Sequence, residues 1–143
     1  MSQPDHLDLI PNRLPYLWVD EVVSVDEHSI HTRKFVDPNL ELFAGHYPDY
    51  PVFPAALQCE CAFQASAILV AKLGVSTGDK VPVVARANRL KFKRIVRPGD
   101  VLDVHVLLEQ RVNDVFFLKA RILRDGEATT TLEFVTTATA PRS

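Results

Sequence analysis

His46 lies in the stretch Ala44-Gly45-His46-Tyr47-Pro48-Asp49-Tyr50-Pro51-Val52-Phe53-Pro54, and Glu60 follows fourteen residues after it. Glycine and prolines stiffen the backbone around an imidazole whose unperturbed pKa, about 6.5, lets it take up a proton near neutrality. Glu60 sits in an otherwise apolar run, so burial should raise its pKa and favour the protonated acid unless a cation pairs with it. Pro54, Ala55 and Ala56 open that run. If it is a helix, their end offers free backbone N–H groups and the positive pole of the dipole, suited to a carbonyl oxygen that becomes negative in an enolate-like transition state. Gln64, one turn beyond Glu60, shares its helical face and can orient the carboxyl by a hydrogen bond. Each residue also has a plainer reading. A loop histidine is often structural, a lone Glu can pair with a buried Arg or face solvent, and Gln64 can merely extend a polar stripe.

The elements that must hold these groups follow from periodicity. Ala55 to Leu73 is almost wholly apolar apart from Gln58, Glu60, Gln64, Ser66 and Lys72, with Pro54 at its start and Gly74 just past its end. Those are the residues expected at the first turn and beyond the C-terminus of one long helix. The run is long enough to span a membrane, but Gln58, Glu60 and Gln64 would be unsatisfied in lipid, so a helix buried in a protein core is the better reading. Elsewhere the pattern is that of strands. Leu102, Val104, Val106 and Leu108 alternate with polar residues across Val101 to Arg111. Asn113-Asp114 makes a turn, Val115 to Arg124 a second run, Asp125-Gly126 a hairpin, and Glu127 to Ala138 a Thr-rich third run. Leu17 to Val25 and Ile30 to Val36 form an earlier hairpin, and Val81 to Val96 a long strand ending at Pro98-Gly99-Asp100. The expected class is α+β: an antiparallel sheet of about six strands wrapped around one central helix, with open edges that favour dimerisation.

Composition bounds the rest. The chain has 143 residues, 16 Lys and Arg against 18 Asp and Glu, and a net charge of −2. That reads as one domain over residues 1–143, able to bury roughly 70% of its unfolded surface without staples. The near-neutral balance argues against a dedicated nucleic-acid or membrane-surface binder. Cys59 and Cys61 are too close for a disulfide framework, and the N-terminus lacks a basic segment followed by an apolar run, so a reducing, cytoplasmic setting is expected. The same two cysteines point to nearly opposite sides of a helix, and His28 and His31 lack partners at ligand spacing, so no metal is expected. There is no G-x-S-x-G elbow and no Gly-rich phosphate loop. The one basic concentration is Arg86, Arg89, Lys91, Lys93, Arg94 and Arg97. Arg89, Lys91 and Lys93 would share a face of an extended strand, suited to an acidic partner or simply to solvent.

Three motifs together resemble the FabZ-type 3-hydroxyacyl-ACP dehydratases of the hotdog fold, over Leu9 to about Ala138. They are Ile10-Pro11-Asn12-Arg13-Leu14-Pro15-Tyr16-Leu17-Trp18-Val19-Asp20; Gly45-His46-Tyr47-Pro48 through Pro51-Val52-Phe53-Pro54 to Glu60 and Gln64; and Phe92-Lys93-Arg94-Ile95-Val96-Arg97-Pro98-Gly99-Asp100. The fourteen-residue spacing from His46 to Glu60 matches that family's catalytic pair. The resemblance implies that His46 removes the α-proton of a (3R)-hydroxyacyl thioester while Glu60 protonates the departing hydroxyl, giving a trans-2-enoyl product. It also implies that the two residues come from different subunits of a homodimer, alone or within a trimer of dimers. The Val52 carbonyl would hold the other imidazole nitrogen, and the N–H of Ala55 would bind the thioester carbonyl. The acyl carrier protein would bring its substrate on phosphopantetheine, meeting Lys91, Lys93, Arg94 and Arg97, and no cofactor would be needed.

The chain departs from the family at Ala55, which replaces Gly and crowds the thioester. Asn12 replaces a common His, and Asp49-Tyr50 replaces a small pair, so that Tyr50 is expected to narrow the acyl tunnel. A specialised dehydratase in fatty acid or polyketide-type chain synthesis is the leading expectation. A hotdog thioesterase and a non-catalytic partner subunit are the alternatives, because one fold hosts many activities.

Overall fold

The computed structural model describes residues 5–74 and 81–139. Met1 to Pro4, on which part of the expectation about the N-terminus falls, lie outside the described residues, as do both ends of the 1–143 span. The sheet is formed by β1 (Glu21–Val25), β2 (Ser29–Phe35), β3 (Val81–Phe92), β4 (Val101–Val112), β5 (Val115–Arg124) and β6 (Glu127–Thr139). All neighbours pair antiparallel in the order β1-β2-β4-β5-β6-β3. The helix α1 (Ala55–Lys72) packs against β2 through β6.

The expected wrapping of sheet around helix follows from which faces are apolar. Leu102, Val104 and Val106 of β4, Phe116, Leu118, Ala120 and Ile122 of β5, and Leu132 and Phe134 of β6 are buried. They meet Cys61, Ala62, Ala65, Ile68 and Leu69 of α1, all of them without solvent exposure, in one continuous core. Burying a side chain such as Ile68 or Leu69 contributes about 1.5–3 kcal/mol. Some polar atoms in this core find partners there, while Trp18 Nε1 and the hydroxyls of Thr32 and Thr136 are buried without one. Gln58, 2% exposed, accepts hydrogen bonds from the hydroxyls of Thr129 at 2.7 Å and Thr130 at 2.6 Å, pinning the first turns of α1 to β6.

Turn residues behave as their types require. Asn113, Asp125 and Gly126 have φ of 55°, 52° and 80°, the left-handed region in which Asn, Asp and Gly are least strained. Gly74, at φ 70°, ends the helix one residue past Leu73.

Some boundaries differ from the sequence reading. Pro54 stands one position before the first helical residue rather than within the first turn. The first strand begins at Glu21 rather than Leu17, because the Trp18 N–H turns away from the sheet to the Gln64 side chain. β2 ends at Phe35, and β3 at Phe92 rather than Val96, where Lys93 and Arg94 both direct their N–H groups to the Thr129 carbonyl. The simple alternation that put Arg89, Lys91 and Lys93 on one face also fails, since the β3–β6 register shifts between Asn88 and Lys91 and Arg89 has φ 52°. The three nevertheless line one groove, as described below.

Candidate active site

The loop carrying His46 is closed by reciprocal bonds. The Val52 N–H donates to the His46 carbonyl at 3.0 Å, and His46 Nδ1 lies 2.9 Å from the Val52 carbonyl oxygen. A carbonyl can only accept, so Nδ1 carries the hydrogen. In the neutral ring Nε2 is then left with its lone pair outward, the tautomer of a general base. The His46 N–H reaches the Leu42 carbonyl at 3.0 Å, the ring stacks on Tyr47 at 4.2 Å, and the 46–47 peptide is cis. The Phe53 N–H donates to the Val96 carbonyl at 2.8 Å, joining this loop to the β3–β4 connection.

At the start of α1 the Pro54 carbonyl accepts from the N–H groups of Leu57 and Gln58. Those of Ala55 and Ala56 have no acceptor among the described residues, as expected at a helix N-terminus. Ala55 lines a cavity of about 220 Å³ with Val52, Phe53, Gln58, Lys93 and Arg94.

Glu60 lies on the far side of the same helix, facing a cavity of about 440 Å³ bordered by Pro11, Asn12, Phe63, Gln64, Ala67 and Val84. Gln64, 2% exposed, uses every bond its amide directs into this region. Its Oε1 accepts the Trp18 N–H at 2.8 Å, which fixes the orientation of the carboxamide because a backbone N–H can only donate. Nε2 is thereby aimed at the Tyr16 carbonyl, 3.2 Å away, and at Glu60 Oε2, 3.3 Å away. No cation among the described residues pairs with Glu60. Burial pushes its carboxyl above the usual range, opposed more weakly by hydrogen bonds from Gln64 and from the Tyr16 phenol. Burial likewise raises the thiols of Cys59 and Cys61.

Within one chain His46 and Glu60 share no hydrogen bond, and His46 lines neither the cavity at Ala55 nor the one at Glu60. The remaining residues singled out in the sequence fall at two places. Tyr50 is 46% exposed and lines neither cavity. Its hydroxyl takes a hydrogen bond from Arg97, whose guanidinium also lies 4.7 Å from the ring centre. Arg94 is paired with Glu127 at 3.1 Å. Lys91 and Lys93, by contrast, open onto an outer groove of about 580 Å³ shared with Arg89, Lys119, Arg121 and Glu133. It is larger than the cavities at Ala55 and Glu60, yet it is a charged surface groove rather than a chemical centre. Among the described residues no group of three or more His, Cys, Asp or Glu could hold a metal ion.

Sequence reasoning passed over Tyr16. It stands in the first motif, but the approach of its carbonyl to the Gln64 amide depends on where that segment crosses α1.

Comparison with known proteins places these features in a family. A family model described as ApeI-like, ApeI dehydratase, matches residues 22–131. The 3-hydroxyacyl-[acyl-carrier-protein] dehydratase FabZ of Rickettsia akari is 39% identical over 122 residues, covering 85% of this chain and 84% of the relative. The same enzyme of Rickettsia canadensis is 38% identical over 135 residues, 94% of each chain. Among solved structures, the dehydratase heterocomplex ApeI:P from Xenorhabdus doucetiae superposes with a TM-score of 0.81 at 16% identity, over 99% of this chain and 94% of that one. A hypothetical thioesterase with coenzyme A from Streptococcus pneumoniae shares the fold at a TM-score of 0.67 and 13% identity, over 86% of this chain and 88% of that one. The chain is a hotdog-fold protein. It belongs to the FabZ-like and ApeI-like dehydratases, and dehydration is its activity.

Replacing Gln64 with Ala strands the Trp18 N–H and removes a donor from Glu60. We expect a stability loss of about 1–3 kcal/mol in chemical denaturation. The Glu60 titration should move to higher pH, because a bond favouring the carboxylate is gone.

Proposed function

We propose that this protein removes water from (3R)-3-hydroxyacyl thioesters held on an acyl carrier protein, giving trans-2-enoyl thioesters, at a site completed by two copies of the chain. The observation that carries this reading is the His46 tautomer: the Val52 carbonyl holds Nδ1–H and leaves Nε2 as a base. His46 takes the proton from the α-carbon. The negative charge that develops on the thioester oxygen is met by the N–H of Ala55 at the positive end of α1. Glu60, whose acid form burial favours, gives its proton to the 3-hydroxyl, which leaves as water as the 2,3 double bond forms. His46 then returns its proton and Glu60 regains one, so no cofactor is required. The Ala55 methyl adds bulk beside the donor without removing it.

The two-copy arrangement is supported by the separation of His46 from Glu60 in one chain and by the β3 edge. This twelve-residue strand has an unpaired side and carries exposed Val83, Val84, Leu90 and Phe92. Such an edge is a liability unless another strand covers it. Val84 and Pro82 also border the Glu60 cavity, so a second copy joined along β3 would roof that cavity and bring its own His46 toward it. A homodimer is the simplest such assembly, and trimers of dimers are the larger one.

For the carrier, the groove of Arg89, Lys91, Lys93, Lys119 and Arg121 supplies a cationic landing surface for an acidic protein. Arg94 and Arg97 are not among the residues that line it and are already engaged by Glu127 and Tyr50, so Lys91 and Lys93 carry most of the attraction. The buried, unpaired thiols of Cys59 and Cys61 suit a reducing, cytoplasmic setting. No helix among the described residues is long and apolar enough to cross a membrane. The product enters fatty acid or polyketide-type chain synthesis, and rates on saturated, branched and polyunsaturated chains distinguish the two.

The test is to incubate the protein with 3-hydroxyacyl and trans-2-enoyl carrier protein and follow water gain or loss by mass spectrometry. We expect interconversion, reduced roughly a hundredfold or more in His46→Ala and in Glu60→Gln. Release of free acid would make the protein a thioesterase, and binding without turnover a partner subunit. Lys91→Glu with Lys93→Glu should raise KM several-fold for the carrier-linked substrate and leave a pantetheine thioester unaffected. Equal effects on both would contradict the docking assignment.

A further inference from the structure

We propose that Thr136 is a specificity-determining residue: its buried hydroxyl pairs with an oxygen carried along the acyl chain, so that the Glu60 cavity selects 3-hydroxyacyl chains bearing a further hydroxyl or oxo group over plain hydrocarbon ones. The inference rests on that cavity receiving the acyl chain, as proposed above, and it adds the class of chain the cavity takes.

Among the described residues three buried side-chain polar atoms find no partner, Trp18 Nε1 and the hydroxyls of Thr32 and Thr136. Trp18 and Thr32 line neither the Ala55 cavity nor the Glu60 cavity, whereas Thr136 lines the second. A hydroxyl taken out of water without a hydrogen bond is costly, and a valine of nearly the same volume would carry no such cost. Thr136 is 2% exposed, so bulk solvent does not relieve it. Its hydroxyl is nevertheless within one rotamer step of the cavity. Oγ1 and Cγ2 branch from the same Cβ, and one step about χ1 between staggered positions brings Oγ1 to the place Cγ2 held.

The place along the substrate follows from how β6 crosses α1. Gln58 accepts from the hydroxyls of Thr129 and Thr130, and the Phe63 ring meets that of Phe134 with centres 5.1 Å apart. β6 therefore advances along α1 in the direction of the chain. Thr136 lies two residues past Phe134 on the same inward face, opposite Val84 in the register, and so comes beyond Phe63, toward Ser66 and Ala67. Those two residues are about 10 Å along the helix axis from Glu60. With Glu60 at the 3-hydroxyl, that end of the cavity receives the chain several carbons further on.

The neighbours leave the role to Thr136. Phe63, Ala67, Pro82 and Val84 offer apolar surface. The Ser66 hydroxyl is spent on the Phe63 carbonyl at 2.7 Å, and the Gln64 amide on Trp18, Tyr16 and Glu60. Asn12 borders the cavity too, but it is only half-buried and within reach of water. A chain oxygen at Thr136 gains a hydrogen bond that the free protein lacks, whereas a plain hydrocarbon leaves the hydroxyl orphaned. Sites of this kind discriminate by the bond made or missed.

The experiment compares full-length wild type, Thr136→Val and Thr136→Ser on 3-hydroxyacyl carrier protein substrates of one chain length, either plain or with a hydroxyl or oxo group moved stepwise along the chain. We expect wild type to favour an oxygenated position in kcat/KM by about five- to tenfold, the weight of one neutral hydrogen bond. Thr136→Val should lose that preference and Thr136→Ser, which keeps the hydroxyl, should retain it. The preference is a ratio within each protein, so a general loss of activity does not imitate it. No preference at any position, or one that survives in Thr136→Val, would overturn the inference. Absence of water transfer on every chain would instead overturn the functional reading, and calorimetric binding of the corresponding pantetheine thioesters would still show whether wild type, unlike Thr136→Val, discriminates by the oxygen.

Discussion

A carboxyl on a helix buried by a surrounding sheet must find its hydrogen bonds in protein rather than in water, and Gln64 is how this chain meets that requirement. Its carboxamide is oriented by a single backbone donor, the Trp18 N–H. That bond turns Nε2 toward Glu60, and it also draws the segment around Tyr16 and Trp18 off the sheet and against α1. The late start of β1 follows from it. An unsatisfied Gln64 at this depth would cost about 1–3 kcal/mol, so the network is held as a unit.

Around His46 the chain solves a different problem, fixing a ring in a loop that lies outside the core. It uses main-chain bonds. His46 and Val52 bond each other twice, Phe53 is tied to Val96, and Arg97 holds Tyr50 from the neighbouring connection. The two halves of the proposed chemistry are therefore each rigid and yet apart in a single chain. The edge strand β3 supplies the physical reason for a second copy: its apolar residues are exposed, and two of its residues also frame the cavity that would need a partner.

Much of this was legible in the residue pattern. Alternation in β4 and β5, the left-handed turn residues at Asn113, Asp125 and Gly126, and the apolar run of α1 with Gly74 beyond it each report a local preference, and local preferences are written locally. What could not be read depended on partners far along the chain. The Trp18 N–H leaves its strand for a side chain forty-six positions away. Lys93 and Arg94 end β3 on the Thr129 carbonyl, and the bulge at Arg89 disrupts an alternation that the sequence suggested. Glu60 and Gln64 could be paired from helical spacing alone, whereas the Tyr16 carbonyl that also meets the Gln64 amide could not, since that contact arises only when the first motif packs across the helix. Tyr50 shows the converse: its bulk was evident, but its capture by Arg97 depends on a loop contact without periodicity.

The central claim is that one reaction centre is built from His46 of one copy and Glu60 of another. The most direct measurement is to mix purified His46→Ala and Glu60→Gln proteins, allow subunits to exchange, and assay water transfer on a carrier-bound acyl thioester. Random exchange of two inactive parents should restore activity to roughly a quarter of wild type, because half the dimers are mixed and each mixed dimer has one intact site of two. No recovery, with exchange verified by native mass spectrometry, would contradict the composite site.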